Sequence, residues 1–198
     1  MGDELQHVPS GRDPAVQALL DREAIRDCLA RYARAIDRRD FALMRNAYWQ
    51  DAMDEHGAVS RPVDAYIEWV SKLTESWVRT MHVLGQTLIQ IEGAKAVSET
   101  YFSAFHLRPN EKGKLHEEFI AGRYLDVLEK REDEWRIYRR TVAYEFFKTS
   151  EEPFHPEPGP AGRRRMGAHK PDDPIYALLQ TLTQASLSPD NPYKETSP

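Results

Sequence analysis

The feature that most constrains the fold of this chain is a change of hydrophobic period after Trp77. Before that residue, apolar side chains recur at helical spacing, whereas four long segments beyond it alternate apolar and polar residues. These segments lie at 79–91, 96–108, 115–129 and 134–147, and short turns rich in Gly, Lys, Glu and Asp join them, as antiparallel hairpins require. Helices followed by a long meander predict an α+β domain with a strongly twisted sheet and its helices on one face.

Three helices are predicted before the sheet. The first begins at Pro14 and keeps an apolar stripe as far as Ile36. The segment "FALMRNAYW" begins a short second helix that leads into a strand at 49–54. A third helix opens at Ser60 and Pro62, and its apolar face extends to Trp77.

Composition divides the chain into three parts. Residues 1–13 are predicted to be disordered, and 14–150 to form one globular domain. Nine of the 13 prolines lie between Pro153 and Pro198, so 151–198 is predicted to be an extended tail, with one short helix in "DPIYALLQTL". This tail suits wrapping over a neighbouring subunit, and we expect a homo-oligomer, with a trimer favoured over a dimer.

Charge and cysteine content exclude several classes of protein. A net charge of −5 and a pI near 5.8 give no electrostatic support for a nucleic acid or an anionic membrane as partner. The basic run 163–165 lies in a Pro/Gly-rich stretch and is interpreted as solvated. The single cysteine, Cys28, excludes an internal disulfide. No segment is apolar enough to be a secretion signal or a membrane span, so a cytoplasmic location is expected.

The sequence lacks the motifs of cofactor and nucleophile chemistry. It contains no GxGxxG, Walker loop, HExxH or GxSxG, so no cofactor is predicted. His56 and His116 could join the histidines of the first two long strands in a metal site, but their spacing does not favour one, and none is predicted. Glu55, Glu117 and Glu118 are interpreted as surface carboxylates. Histidine and aspartate therefore remain as the candidates for chemistry.

One carboxylate and two histidines form the strongest candidate constellation. In "RYARAIDRRDF" the apolar stripe of the first helix ends on Asp37. With a period of two, His82 shares a strand face with Leu88, and His106 shares one with Phe102. A single histidine in such a place is most often a hydrogen-bonded structural residue. Two of them near a carboxylate favour a general base, because the carboxylate can fix the imidazole tautomer and stabilise the imidazolium.

Three segments in this order resemble a known family: "RYARAIDRRDFALMR", "RTMHVLG" and "GRYLDVLEKREDEWRI". Over about 16–147 the chain resembles the SnoaL-like branch of the nuclear-transport-factor-2-like superfamily. That branch includes scytalone dehydratase, bile-acid 7α-dehydratase and hexachlorocyclohexane dehydrochlorinase. The resemblance implies a cone-shaped α+β barrel, in which a curved, mostly antiparallel sheet wraps a long N-terminal helix and leaves a deep apolar pocket.

The resemblance also implies roles for individual residues. Asp37 matches the catalytic aspartate of the family, His82 the general base, and His106 the second active-site histidine of scytalone dehydratase. Ile36 stands where scytalone dehydratase has a tyrosine, and "DAMDEHG" holds no counterpart of its strand tyrosine. Tyr32 or Tyr124 would have to replace that tyrosine pair.

Further contacts are implied in the same way. Tyr32 matches a tyrosine of the bile-acid enzyme, and Arg140 falls near an arginine of the bile-acid and dehydrochlorinating enzymes, with Arg139 left open as the alternative. The side chains predicted to contact substrate are Tyr124, Trp49, Phe102 and Tyr101.

Together these features predict a cofactor-independent lyase that acts on a small apolar or aromatic hydroxylated molecule. The same residues would suit deformylation of lignin-derived diarylpropanes, or an isomerase or cyclase. A non-catalytic ligand-binding or assembly module, like the β subunit of ring-hydroxylating dioxygenases, is the alternative of another class. An open pocket would favour the lyase, and a pocket filled by side chains would favour the module.

Overall fold

Within 13–57, 59–151 and 166–187, the residues described by this computed structural model, the chain forms four helices and one six-stranded sheet. The predictions for 1–12, 152–165 and 188–198 lie outside the described residues, including the basic run and most of the proline-rich tail. The helices are α1 (Pro14–Arg38), α2 (Phe41–Arg45), α3 (Val63–Leu73) and α4 (Pro174–Leu187). The strands are β1 (Tyr48–His56), β2 (Val59–Pro62), β3 (Arg79–Glu92), β4 (Lys95–Pro109), β5 (Leu115–Arg131) and β6 (Glu134–Ser150).

The long helix α1 has clear signals at both ends. The Asp13 carboxylate accepts a hydrogen bond from the Ala15 N–H at 2.8 Å, and Pro14 occupies the first turn, where its missing N–H costs nothing. Arg39 ends the helix in the left-handed conformation, with φ at 53°. The predicted apolar stripe is buried from Ile25 to Ile36, and Asp37 is buried with it. The first part of the stripe is wrong as a core face, because Val16, Leu19 and Leu20 are exposed.

The sheet has the strand order β2-β1-β6-β5-β4-β3. All neighbours are antiparallel except β1 and β6, which are parallel. The sheet is curved but unclosed, and α1 packs across it against β3 and β6. The predicted α+β fold is therefore confirmed, with the four long strands close to their predicted limits. This arrangement places the C-terminal end of α1 beside the first residues of β3.

One prediction about the third helix is wrong. Residues 59–62 form β2, which pairs with β1, and α3 begins only after Pro62. Proline lacks the N–H that a helix interior needs but is tolerated at an edge strand and before a helix. The helix ends at Leu73, so Trp77 lies beyond it and belongs to the connection into β3.

A β-bulge in β3 changes which residues face the core. The register shifts between Leu84 and Thr87, and such a shift moves all later side chains to the other face. His82 lies before the bulge. Beyond the bulge, Leu88 is 65% exposed and Ile89 only 7% exposed, so the predicted shared face of His82 and Leu88 is wrong.

A second bulge, in β6, decides between the two candidate arginines. Ile137 pairs with Leu128, whereas Arg139 pairs with the adjacent Val127, so the register shifts between them. Strict alternation from buried Ile137 would turn Arg139 inward. With the shift, Arg140 is buried and Arg139 is exposed.

The C-terminal segment packs back onto its own chain. The Lys170 N–H donates to the Arg38 carbonyl at 2.8 Å, and the Lys170 ammonium lies 3.0 Å from the Asp40 carboxylate. Arg38 also pairs with Asp173 at 3.2 Å. These contacts hold 166–173 against the end of α1, while the predicted wrapping over a neighbour stays a prediction. Among the described helices, none combines the length and apolar character needed to cross a bilayer.

Candidate active site

Asp37 and His82 form a hydrogen-bonded pair where α1 meets β3. The Asp37 Oδ1 lies 2.7 Å from His82 Nδ1, and Asp37 Oδ2 accepts the His82 backbone N–H at 2.9 Å. The Thr80 hydroxyl donates a weaker bond to Asp37 Oδ1 at 3.4 Å. These contacts fix the carboxylate, which orients the imidazole with its proton on Nδ1 and leaves Nε2 as the basic nitrogen.

The pair borders a cavity of about 240 Å³ between the helices and the concave side of the sheet. Three sequence-predicted site residues line it: Tyr32, His82 and His106. Its other walls are mainly aromatic and aliphatic, with Trp69, Val70, Trp77 and Ile120 among them. Apolar walls with a few polar groups are typical of small-molecule sites.

His106 lies in this cavity as an unpaired polar group. It is 6% exposed, and neither ring nitrogen has a hydrogen-bond partner within the described residues. Its ring centroid lies 5.4 Å from that of His82 and 4.3 Å from Trp77. Burial, reinforced by the neighbouring His82, lowers the pKa of His106 to about 3. His106 is therefore neutral near pH 7, with a free donor and acceptor, and buried unpaired groups of this kind commonly mark functional sites.

Arg140 lies outside the cavity, in a closed ion pair. Its Nε and Nη2 donate to the two Asp126 carboxylate oxygens at 2.7 and 2.8 Å. Both side chains are fully buried, and the guanidinium carbon lies 4.1 Å from the ring centroids of Tyr32 and Tyr124. Burial acts to lower the pKa of Arg140, but Asp126 raises it well above its ordinary value. The predicted anion-binding arginine is thus placed behind the wall of the cavity.

Two of the predicted aromatic contacts also lie behind this wall. Phe102 and Tyr124 stack at 4.3 Å between ring centroids, and both are buried. Tyr124 packs edge-on against Tyr32 at 5.7 Å. The Tyr32 hydroxyl is hydrogen-bonded to that of Tyr66 at 2.7 Å, and both tyrosines line the cavity. The paired hydroxyls at the cavity are therefore those of Tyr32 and Tyr66. Tyr66 is a residue that the sequence does not single out.

The other two predicted contacts are elsewhere. Tyr101 is 41% exposed on the outer face, because neighbouring strand residues point to opposite faces and Phe102 points inward. The Trp49 Nε1–H donates to the Glu129 carbonyl at 2.9 Å, and Arg131 lies 5.0 Å from the centroid of the Trp49 ring. The structure does not bring either aromatic side chain to the cavity.

The structure also places an unpredicted Asp–His pair on the cavity wall. His56 lines the cavity, and its Nδ1 is hydrogen-bonded to the Asp54 carboxylate. The second Asp54 oxygen accepts the Tyr48 hydroxyl at 2.6 Å. The signal in the sequence is "DEH" at the end of β1, because residues two apart on a strand share a face.

The interpretation of Glu118 as a surface carboxylate is wrong. Glu118 is 8% exposed and lines the cavity, and its two oxygens accept bonds from Arg108 Nε at 2.8 Å and Nη2 at 2.5 Å. Burial acts to raise the pKa of Glu118, but the bonds from Arg108 lower it overall. Across the described parts of the chain, no three His, Cys, Asp or Glu side chains cluster as metal ligands.

A second, larger cavity of about 460 Å³ lies on the other side of Asp37, against 166–169. Asp37 is one of its lining residues, and the Asp37 carboxylate is hydrogen-bonded to His82. This second cavity lacks both His82 and His106. Since the smaller cavity holds the oriented imidazole and the unpaired one, it is the better candidate for an active site.

Comparison with solved structures gives the same fold. A type 2 hexachlorocyclohexane dehydrochlorinase, LinA, superposes with a TM-score of 0.66 and 17% identity, over 73% of this chain and 99% of that one. A protein described as a candidate scytalone dehydratase from Novosphingobium aromaticivorans gives 0.61 and 18%, over 76% and 99%. The Kfla4162 protein of Kribbella flavida gives 0.60 and 18%, over 66% and 95%.

At the level of sequence, no curated protein matches the chain. The SnoaL-like domain, in contrast, matches residues 17–141, which is well over half of the chain. That range contains α1 from Gln17 onward, the sheet up to Thr141 and both Asp–His pairs. The protein therefore belongs to the SnoaL-like domain family.

Proposed function

We propose that this protein is a lyase that eliminates a leaving group from a small, largely aromatic molecule without a cofactor. One observation carries the proposal. The Asp37–His82 pair, with its distance of 2.7 Å, borders an open cavity in which the neutral His106 has no partner among the described residues. An elimination that begins with proton abstraction needs an oriented base and a nearby hydrogen-bond donor. His82 and His106 would fill these two roles.

In the proposed reaction, His82 Nε2 removes a proton from a carbon of the substrate. The electron pair of that C–H bond forms the new carbon–carbon double bond, and the bond to the leaving group breaks. Asp37 stabilises the imidazolium that forms at His82. A carbonyl or enolate oxygen of the substrate accepts a hydrogen bond from His106, which stays neutral because burial lowers its pKa to about 3.

The cavity walls support an aromatic substrate of modest size. Trp69 and Trp77 offer ring faces, and the cavity volume of about 240 Å³ suits a molecule with one ring and a short side chain. Two of the superposed structures carry the names dehydrochlorinase and scytalone dehydratase, and both names denote eliminations. An open cavity also disfavours the alternative of a purely structural module.

The test is a panel of methyl ketones that carry a β leaving group and an aromatic ring, with 4-hydroxy-4-phenylbutan-2-one for dehydration and 4-aryloxybutan-2-ones for loss of a phenol. A diarylpropane followed for formaldehyde covers the deformylating alternative. We expect formation of the conjugated ketone in wild type and a rate lower by about 10²–10⁴ in His82→Ala. The wild-type rate should survive EDTA and need no added nicotinamide, flavin or metal. A wild-type protein that converts no member of the panel would count against the lyase proposal.

A further inference from the structure

Two histidines from well-separated strands of the sheet face the same cavity. His82 lies on β3 and His56 on β1, and β6, β5 and β4 separate these strands in the sheet order. Both side chains nevertheless line one cavity, because the sheet curves around it. A molecule held in the cavity can therefore contact one imidazole from β3 and one from β1.

The two imidazoles are held in the same way. In each pair, Nδ1 is bonded to an aspartate carboxylate that is itself held by a further donor. For His56 that carboxylate is Asp54, which is 1% exposed and bonded to the Tyr48 hydroxyl at 2.6 Å. No hydrogen bond to His56 Nε2 is seen among the residues that the structure describes. The Asp54 contact thus fixes the His56 tautomer and leaves Nε2 for another partner.

The surroundings of His56 combine an aromatic ring with a buried carboxylate. Its ring stacks on Tyr66 with centroids 4.9 Å apart. Two more buried charges of this region, Asp126 and Arg140, neutralise each other in a closed ion pair. That leaves the Asp54 carboxylate, whose side chain is fully buried, with His56 as its ion-pair partner. A proton on His56 would complete a second buried ion pair, and a buried carboxylate needs such a partner.

We propose that His56 is the general acid of the elimination and protonates the leaving group. This inference rests on the proposed lyase function. His82 takes the proton from carbon, the double bond forms, and the bond from carbon to oxygen breaks. The departing oxygen takes the proton from His56 Nε2 and leaves as a neutral alcohol, phenol or water. After release, His82 loses one proton to solvent and His56 regains one, which restores the starting state.

The assignment also narrows the substrate class. Alkoxide, phenoxide and hydroxide are poor leaving groups and benefit from protonation as they depart, whereas a halide leaves as a stable anion and needs no acid. A general acid on the wall opposite the base therefore indicates an alcohol or ether as substrate, not an alkyl halide.

The test compares two 4-aryloxybutan-2-ones that differ in the leaving group. Loss of phenoxide from 4-phenoxybutan-2-one needs an acid, whereas 4-(4-nitrophenoxy)butan-2-one releases a stable nitrophenolate. In His56→Gln we expect kcat for the phenoxy ketone to fall by about 10²–10⁴, the usual contribution of a general acid, and kcat for the nitrophenoxy ketone to change little. His82→Gln should lose both activities. His169→Gln, a histidine in the C-terminal segment outside this cavity, is the control and should retain both.

Equal losses on the two ketones in His56→Gln, or no loss on either, would overturn the assignment. Its failure is distinct from failure of the lyase proposal, which would show as an inactive wild type. In that case nitrogen-15 NMR of the histidine rings tests His56 alone, with 4-nitrophenol as a mimic of the departing group. We expect 4-nitrophenol to shift the His56 Nε2 resonance and to bind His56→Gln at least tenfold more weakly. An unmoved His56 resonance at saturation would exclude contact with the leaving group.

Discussion

Two buried aspartate pairs of this protein have the same short contact and differ in whether they reach the cavity. Asp37–His82 and Asp126–Arg140 each join a carboxylate to a basic side chain at 2.7 Å. Of the two basic residues, His82 has one nitrogen free for the cavity. Arg140 is fully buried beside the rings of Tyr32 and Tyr124, and two of its nitrogens are bound to Asp126.

Access to the cavity separates a reactive pair from a structural one. A charged group can act on a substrate only if an atom of it reaches the cavity. At the first pair, the helix end brings Asp37 beside a strand that lines the cavity. At the second, the guanidinium is fully buried against two tyrosine rings and bound to Asp126. The same residue types therefore support chemistry in one place and hold the wall of the pocket in the other.

The largest effect is expected at the open pair. His82→Ala should lower kcat by about 10²–10⁴, because the general base is lost while the apolar cavity remains. Asp37→Asn should also cost heavily, since an amide cannot stabilise the imidazolium. Steady-state kinetics on a converted ketone measures both losses, with urea unfolding as a check that the fold is unchanged. Full activity in His82→Ala would remove the distinction between the two pairs.

At the buried Asp126–Arg140 pair, the expected effect is on the free energy of unfolding. Arg140→Met leaves the Asp126 carboxylate buried without its partner, which should lower the free energy of unfolding by about 3–5 kcal/mol. The double variant Arg140→Met/Asp126→Leu is the matched control and should recover much of that loss, because it removes both charges. Urea unfolding measures both variants. A loss below about 1 kcal/mol in the single variant would contradict the closed arrangement.

A third effect is a pH dependence of the free energy of unfolding, which arises from His106 in the cavity. The pKa of His106 is lowered to about 3 in the folded protein, whereas an unfolded histidine titrates near 6.5. Between these values the unfolded chain binds more protons, so stability is lost as pH falls from about 6.5 toward 3. From pH 7 to pH 5 this group alone should account for about 2 kcal/mol. Urea unfolding of wild type and His106→Phe should differ in pH dependence by that amount. Parallel profiles would contradict a buried, neutral His106.

The smallest effect is expected at the hydrogen bond between the Tyr32 and Tyr66 hydroxyls. Tyr66→Phe leaves the Tyr32 hydroxyl without the bond of 2.7 Å, and should lower the free energy of unfolding by about 1 kcal/mol. The double variant Tyr32→Phe/Tyr66→Phe should cost less than the sum of the single ones, because no hydroxyl is then left unpaired. Additive losses in this double-mutant cycle would mean that the two hydroxyls do not interact.

Local periodicity and end signals by themselves determined much of this protein. The start of α1 at Pro14, the buried stripe that ends on Asp37, and the four long strands all follow from spacing of apolar residues and short turns. The inward position of His106 beside Phe102 follows in the same way, because β4 alternates without interruption over this stretch. These features are local, so a pattern of a few residues is enough to specify them.

Only the tertiary structure decided which of the inward residues reach the cavity. Bulges in β3 and β6 reset the alternation, and so Arg140 rather than Arg139 points inward. Sheet curvature brings His56 of β1 toward His82 of β3, across three strands whose order a linear pattern does not give. Whether a side chain is reactive or sealed depends on partners distant in sequence, such as Asp126 around Arg140. Bulge positions, strand order and such long-range contacts are set by packing of the whole chain, which no local period encodes.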